Sequence, residues 1–223
     1  MTDSFRDRLA VRLRGWGPAG ILSFLLIAAS MAVFMPVAAV LVLLWAWLSK
    51  TPWPAIGYAR PKSWIGGALV GILFGVALKF AMKAVVMPLL GADPVNHAYA
   101  GMQGNLPELL FFSAYAVIGA GWAEETVFRG YLFERCGALF GRSVPANILT
   151  LLLVTGIFAS LHWQQGQAGM INAGITGLII GAIYLVNGRK LWTLMFTHAS
   201  FDVTAALMIY LNLETKVAQL LFH

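Results

Sequence analysis

Apolar positions in this chain come in long, nearly unbroken blocks separated by short polar or basic punctuation, the pattern of membrane helices rather than of amphipathic soluble ones. Pro18 to Leu48 is one such block, long enough for a helix of ~46 Å, with Pro36 near its middle. That proline predicts either a kinked helix or a turn between two short segments. The Pro-rich stretch Thr51 to Ser63 reads as a loop. Trp64 to Met87 reads as a transmembrane helix whose Gly66, Gly67, Gly71 and Gly75 give a small-residue face with spacings of four, suited to close helix packing. Near its far end Lys79 and Lys83 lie one turn apart and are expected to snorkel to the interface. Pro88 to Leu106 is polar and lacks Lys and Arg, so it reads as a loop on the outer side. Pro107 starts a helix expected to reach about Phe140. Further helices are expected over Val144 to His162, Met170 to Val186 and Leu191 to Leu211, with a turn at Trp163 to Gly169 and an amphipathic piece, Glu214 to Phe222. The fold class implied is all-α: a polytopic transmembrane bundle of about six to seven membrane helices.

Composition agrees with this picture. The chain has 223 residues, 60% hydrophobic and 11% charged, against roughly 25% charged in soluble domains. One membrane domain is expected over residues 1–223: a basic flank (1–17), an N-terminal membrane segment and loop (18–63), a helical core (64–211) and a tail (212–223). The net charge of +6 is that of basic membrane flanks and needs no nucleic-acid partner. Arg6, Arg8, Arg12 and Arg14 precede the first apolar block, which is too long for a signal-peptide core and is read as a retained anchor. Phe5, Leu9 and Leu13 could make residues 1–15 a basic amphipathic helix. The basic turns at Arg135–Arg142 and Arg189–Lys190 and the Lys50–Lys62 loop are expected on the cytoplasmic side. The single cysteine, Cys136, excludes an internal disulfide and is read as a small buried hydrophobe.

Against this apolar background a few ionisable residues stand out. Glu124 and Glu125 are adjacent at the end of an apolar run, and an ionisable residue at membrane depth is by default a functional-site hypothesis. Arg129, four residues after Glu125, would share its helix face, leaving Glu124 for another task. His162 follows Phe158 by four, and Asp202 follows His198 by four. Counted from the basic turns, the Glu pair and His162 fall ~22–28 Å deep and His198 and Asp202 ~12–18 Å, a spread that helix tilt can absorb. Such a pocket could activate water by a carboxylate beside an imidazole, with the second imidazole and Asp202 stabilising an oxyanion or fixing a tautomer. The same four groups, Glu124, His162, His198 and Asp202, could instead hold a divalent metal such as zinc.

The ordered motifs Glu124-Glu125-Thr126-Val127-Phe128-Arg129, Phe158 to His162 and His198 to Asp202 resemble those of the CPBP/Abi family of intramembrane endopeptidases, which includes CAAX prenyl proteases and bacteriocin-processing enzymes. The resemblance implies that Glu124 and His162 activate the attacking water, that His198 and Asp202 stabilise the oxyanion, and that Glu125 and Arg129 brace the site. The last motif ends in Asp202 where eukaryotic members carry Asn, which favours a metal-ligand or histidine-orienting role there. The implied cofactor is either none or a divalent metal. The implied partners are a membrane-associated peptide or protein substrate and the lipid bilayer; the basic flanks and the lack of eukaryotic targeting signals suggest a bacterial inner membrane. A non-catalytic scaffold of the same fold and a small proton-coupled transporter are the rival functions.

Overall fold

The computed structural model describes residues 4–221. Residues 1–3 of the expected N-terminal helix and Phe222 of the expected tail piece lie outside the described residues. The helices are α1 (Phe5–Arg14), α2 (Pro18–Val33), α3 (Met35–Leu48), α4 (Trp64–Leu89), α5 (Leu106–Phe140), α6 (Val144–Ser160), α7 (Trp163–Val186), α8 (Leu191–Tyr210) and α9 (Glu214–Ala218). The described residues form no strand, and the fold is an all-α bundle.

By length and composition α4, α5 and α7 can each cross a membrane, and α1 with α2, bent by 63°, form a fourth candidate. α3 and α6 are shorter apolar helices, and α8 has 20 residues diluted by its polar site groups. The long apolar block is therefore two helices. The chain breaks at Phe34, whose φ of −164° and ψ of 111° interrupt the helix, and Pro36 stands in the first turn of α3. α2 and α3 then pack against each other.

Local chemistry sets the other boundaries. The Ser4 side chain and Asp7 close a capping box on α1. The Asn105 side chain caps α5, with Pro107 in its first turn. Gly141, at φ +85°, ends α5, and the Ser143 side chain caps α6. Two boundaries differ from expectation. α6 ends at Ser160, so His162 stands in the following turn rather than inside a helix, and the expected turn after it is mostly the first turns of α7. α5 also departs from α geometry: Ala116–Leu132 takes the wider π pitch, so the 100° step between neighbouring side chains does not apply to the Glu pair. Wide turns of this kind are frequent at functional sites, although usually only one turn long.

α4 and α8 run side by side in the same direction, both starting near the basic turns. A Cβ on Gly71 would fall 2.5 Å from the Thr193 carbonyl oxygen, and one on Gly75 would fall 2.2 Å from that of Thr197. The backbones meet where side chains are missing, the packing open to helices without a hydrophobic drive between them. The central core joins α3, α5, α6 and α7 through Val42, Val127, Phe128, Phe158 and Tyr184. At the basic end Arg135 is buried, donates to the Arg14 and Gly15 carbonyl oxygens (2.5 and 2.9 Å) and lies over the Trp16 ring at 4.1 Å, which ties the end of α1 to α5. Together the basic turns make an array there, with Arg189 donating to Asn147 at 2.8 Å.

Candidate active site

A cavity of about 890 Å³ opens in the half of the bundle away from the basic turns, and Glu124, Phe158, His162, His198 and Asp202 all line it. α5 supplies the acid pair, the α6–α7 turn supplies His162, and α8 supplies His198 and Asp202.

Glu125 is fully buried and turned away from the cavity toward Arg129, itself only 2% exposed. Arg129 donates to Glu125 Oε1 at 3.0 Å and to the Gly177 carbonyl oxygen at 3.2 Å, and its guanidinium lies 4.9 Å from the Phe158 ring centre. The expected pair between Glu125 and Arg129 is therefore formed. A charge so deeply buried is tolerated only when paired and hydrogen-bonded.

The same Glu125 oxygen is 2.7 Å from His198 Nδ1. Because a carboxylate accepts, Nδ1 carries a proton, and Nε2 is turned to the cavity. There Nε2 stands 3.8 Å from Glu124 Oε2 and 3.8 Å from Asp202 Oδ2. Glu124 Oε2 is buried and has no hydrogen-bond partner among the described residues. His162 Nδ1 is 2.8 Å from the Phe158 carbonyl oxygen, so it too must donate, and the other ring nitrogen of the neutral imidazole is an acceptor. The Phe158 ring separates the two imidazoles, with ring centres 4.7 Å from His162 and 5.9 Å from His198.

The site thus brings together all the expected residues, but with one pairing that spacing does not reveal. Glu125 reaches across from α5 to fix His198, and so brace and imidazole form a single chain from Gly177 through Arg129 and Glu125 to His198. The expected metal set does not assemble: among the described residues no three His, Cys, Asp or Glu groups are placed to hold a metal ion. His198 Nδ1 is spent on Glu125, and its Nε2 is shared between two acids beyond bonding distance.

Sequence reading also missed contributions from neutral or distant groups. Gly177 acts through its backbone, which leaves no side-chain signal. Behind the Glu pair, Trp122 Nε1 donates to Tyr58 Oη at 2.9 Å, and Tyr58 meets the Thr126 hydroxyl at 2.7 Å, fixing the loop after α3 against α5. Gln164, Gln165 and Asn172 add polar amides to the cavity wall. Lys79 and Lys83, expected to snorkel to the interface, line it as well, and Lys83 pairs with Glu214 at 2.7 Å.

No curated protein and no solved structure matches the chain. Residues 106–204 match the family model described as type II CAAX prenyl endopeptidase Rce1-like, a span that runs from the start of α5 into α8 and contains all three motifs. Across that segment this bundle of apolar helices is similar to the Rce1-like, CAAX-type protease family.

Proposed function

We propose that the chain hydrolyses a peptide bond of a membrane-associated substrate with a water activated by Glu124 and His162. The observation that carries this reading is the arrangement around His198: one buried acid holds its Nδ1, and its Nε2 faces a cavity shared with an unpartnered Glu124 carboxylate.

In this scheme a water held by Glu124 and the acceptor nitrogen of His162 gives its proton to Glu124 as its oxygen bonds to the scissile carbonyl carbon. The carbonyl oxygen takes the negative charge and lies against His198 Nε2, which donates to it when protonated. Asp202, one turn on and 3.8 Å away, orients that imidazole. When the tetrahedral adduct collapses, the C–N bond breaks and the proton held by Glu124 passes to the leaving amine. Glu125 and Arg129 keep the His198 ring in place and touch no reacting atom. The surrounding apolar helices exclude bulk water, which strengthens every charge interaction in the cavity. The family match favours a CAAX-type C-terminus as substrate; a leader peptide is the other type that the motifs suit, and the basic flanks suit a bacterial inner membrane as the site of action.

The test is cleavage of lipid-anchored peptides by the purified protein in detergent. Glu124→Gln and His162→Ala should each lower kcat by about 10²–10⁴-fold, the range of a general base, with the helical content unchanged. A scaffold or transporter would cleave nothing in wild-type form, and equal rates in all three proteins would reject the assigned site.

A further inference from the structure

Lys79 and Lys83 lie one turn apart on α4, and the structure treats them differently. Lys83 is saturated: it pairs with Glu214, donates to the Pro94 carbonyl oxygen and so ties the outer loop to α9. Asn96 reinforces the same junction through its backbone N–H to Glu214 Oε1 at 3.3 Å. Lys79 has no such partner. Its ammonium lies 4.6 Å from the Phe201 ring centre, and no carboxylate of the described residues comes within 4.0 Å of it. Asp202 and Glu214 act on it only through space.

The glycine ladder decides where that cation sits. Gly67 packs at Trp192 and Thr193, Gly71 at Thr193 to Thr197, and Gly75 at Thr197 and Ser200. Each step of four on α4 advances about four on α8, so the next step sets Lys79 level with Phe201 to Thr204, beside Asp202. Ser200 Oγ donates to the Ile72 carbonyl oxygen at 3.3 Å and helps hold this register. Lys79 thus enters the wall of the cavity that contains Glu124, His162, His198 and Asp202. A cation at membrane depth that lacks a bonded anion is costly, and such a residue marks a substrate or ion path.

We propose that Lys79 is the receptor for a carboxylate of the substrate, its free C-terminal α-carboxylate, held beside the cleavage site. This rests on the protease reading above and deepens it by assigning the side chain that would hold the end of a CAAX-type substrate. A carboxylate on Lys79 would complete the pair that the fold leaves open, and the Phe201 face would shield it from lipid. Lys83 already pairs with Glu214, which leaves Lys79 as the lysine of the cavity wall open to an anion.

The experiment uses the full-length protein in detergent and three lipid-anchored fluorogenic peptides: one with a free C-terminus, the same peptide as its carboxamide, and an amidated peptide with a glutamate as last residue. Wild type should favour the free acid over the amide by about 30-fold or more in kcat/KM, mostly through KM, as expected for a charge pair formed away from water. In Lys79→Met the ratio should fall toward one, and in Lys79→Arg it should persist. A wild-type ratio near one, an undiminished ratio in Lys79→Met, or equal use of the acidic-side-chain peptide would overturn the assignment. Binding of the same peptides, followed by fluorescence anisotropy, separates the two readings. If no peptide is cleaved but the free acid still binds better through Lys79, the carboxylate site stands and the protease reading fails. Cleavage without discrimination has the opposite meaning.

Discussion

Replacing Arg129 with methionine isolates the interaction on which the proposed site geometry rests. Arg129 and Glu125 are both almost fully buried, 3.0 Å apart, and the mutation removes the cation while leaving the acid in place. Breaking a buried pair from one side costs about 3–5 kcal/mol, because the remaining charge is uncompensated. The Gly177 carbonyl oxygen also loses its guanidinium donor, worth about 1–3 kcal/mol if it finds no other. Methionine fills part of the volume and offsets some of the loss, so the expected destabilisation is about 4 kcal/mol. The control is the double variant Arg129→Met with Glu125→Gln. Its buried charge is gone, and the amide oxygen can still accept from His198 Nδ1, so at least half of the lost stability should return. The assay is equilibrium unfolding of wild type, Arg129→Met, Glu125→Gln and the double variant in mixed micelles, read as a double-mutant cycle. A loss below about 1 kcal/mol in the single variant, the level of an exposed pair, would refute the argument. So would a double variant no more stable than Arg129→Met.

Other outcomes follow from the same geometry. Gly75→Ala, whose Cβ would strike the Thr197 carbonyl oxygen and Ser200 Oγ, should force α4 off α8 and cost about 1–3 kcal/mol in the same unfolding assay. Arg135→Met should free the end of α1, seen as faster protease cutting at Gly15–Gly17 while the core stays protected. At the exposed surface, the hydrogen bond from Lys50, and then that from Ser4, holds the Asp7 carboxyl at about 2, below its ordinary 3.8. With the folded value lowered, the contact contributes fully above pH 3.8 and is lost as pH falls through about 2; an NMR titration of Asp7 should move back toward 3.8 in Lys50→Met.

Much of this protein could be read from residue order alone. Blocks of apolar residues longer than a soluble core needs announce membrane helices, because unpaired backbone cannot be left in hydrocarbon. Proline, asparagine and serine at helix starts and Gly141 at a helix end give the boundaries through local chemistry. The Glu125–Arg129 and His198–Asp202 pairs follow from four-residue spacing, and the improbability of acids and imidazoles at membrane depth flags the candidate site. The folded chain decided the rest. Local spacing carries no information on partners from another helix, so the Glu125–His198 bond and the Arg129 contact with the Gly177 carbonyl were illegible. Pro36 suits a kinked helix as well as a turn, and only the folded chain shows the break at Phe34 and the end of α6 before His162. Lys79 and Lys83 are alike in type and one turn apart; only the folded chain brings Glu214 of α9 to Lys83 and sets Lys79 against Phe201 of α8.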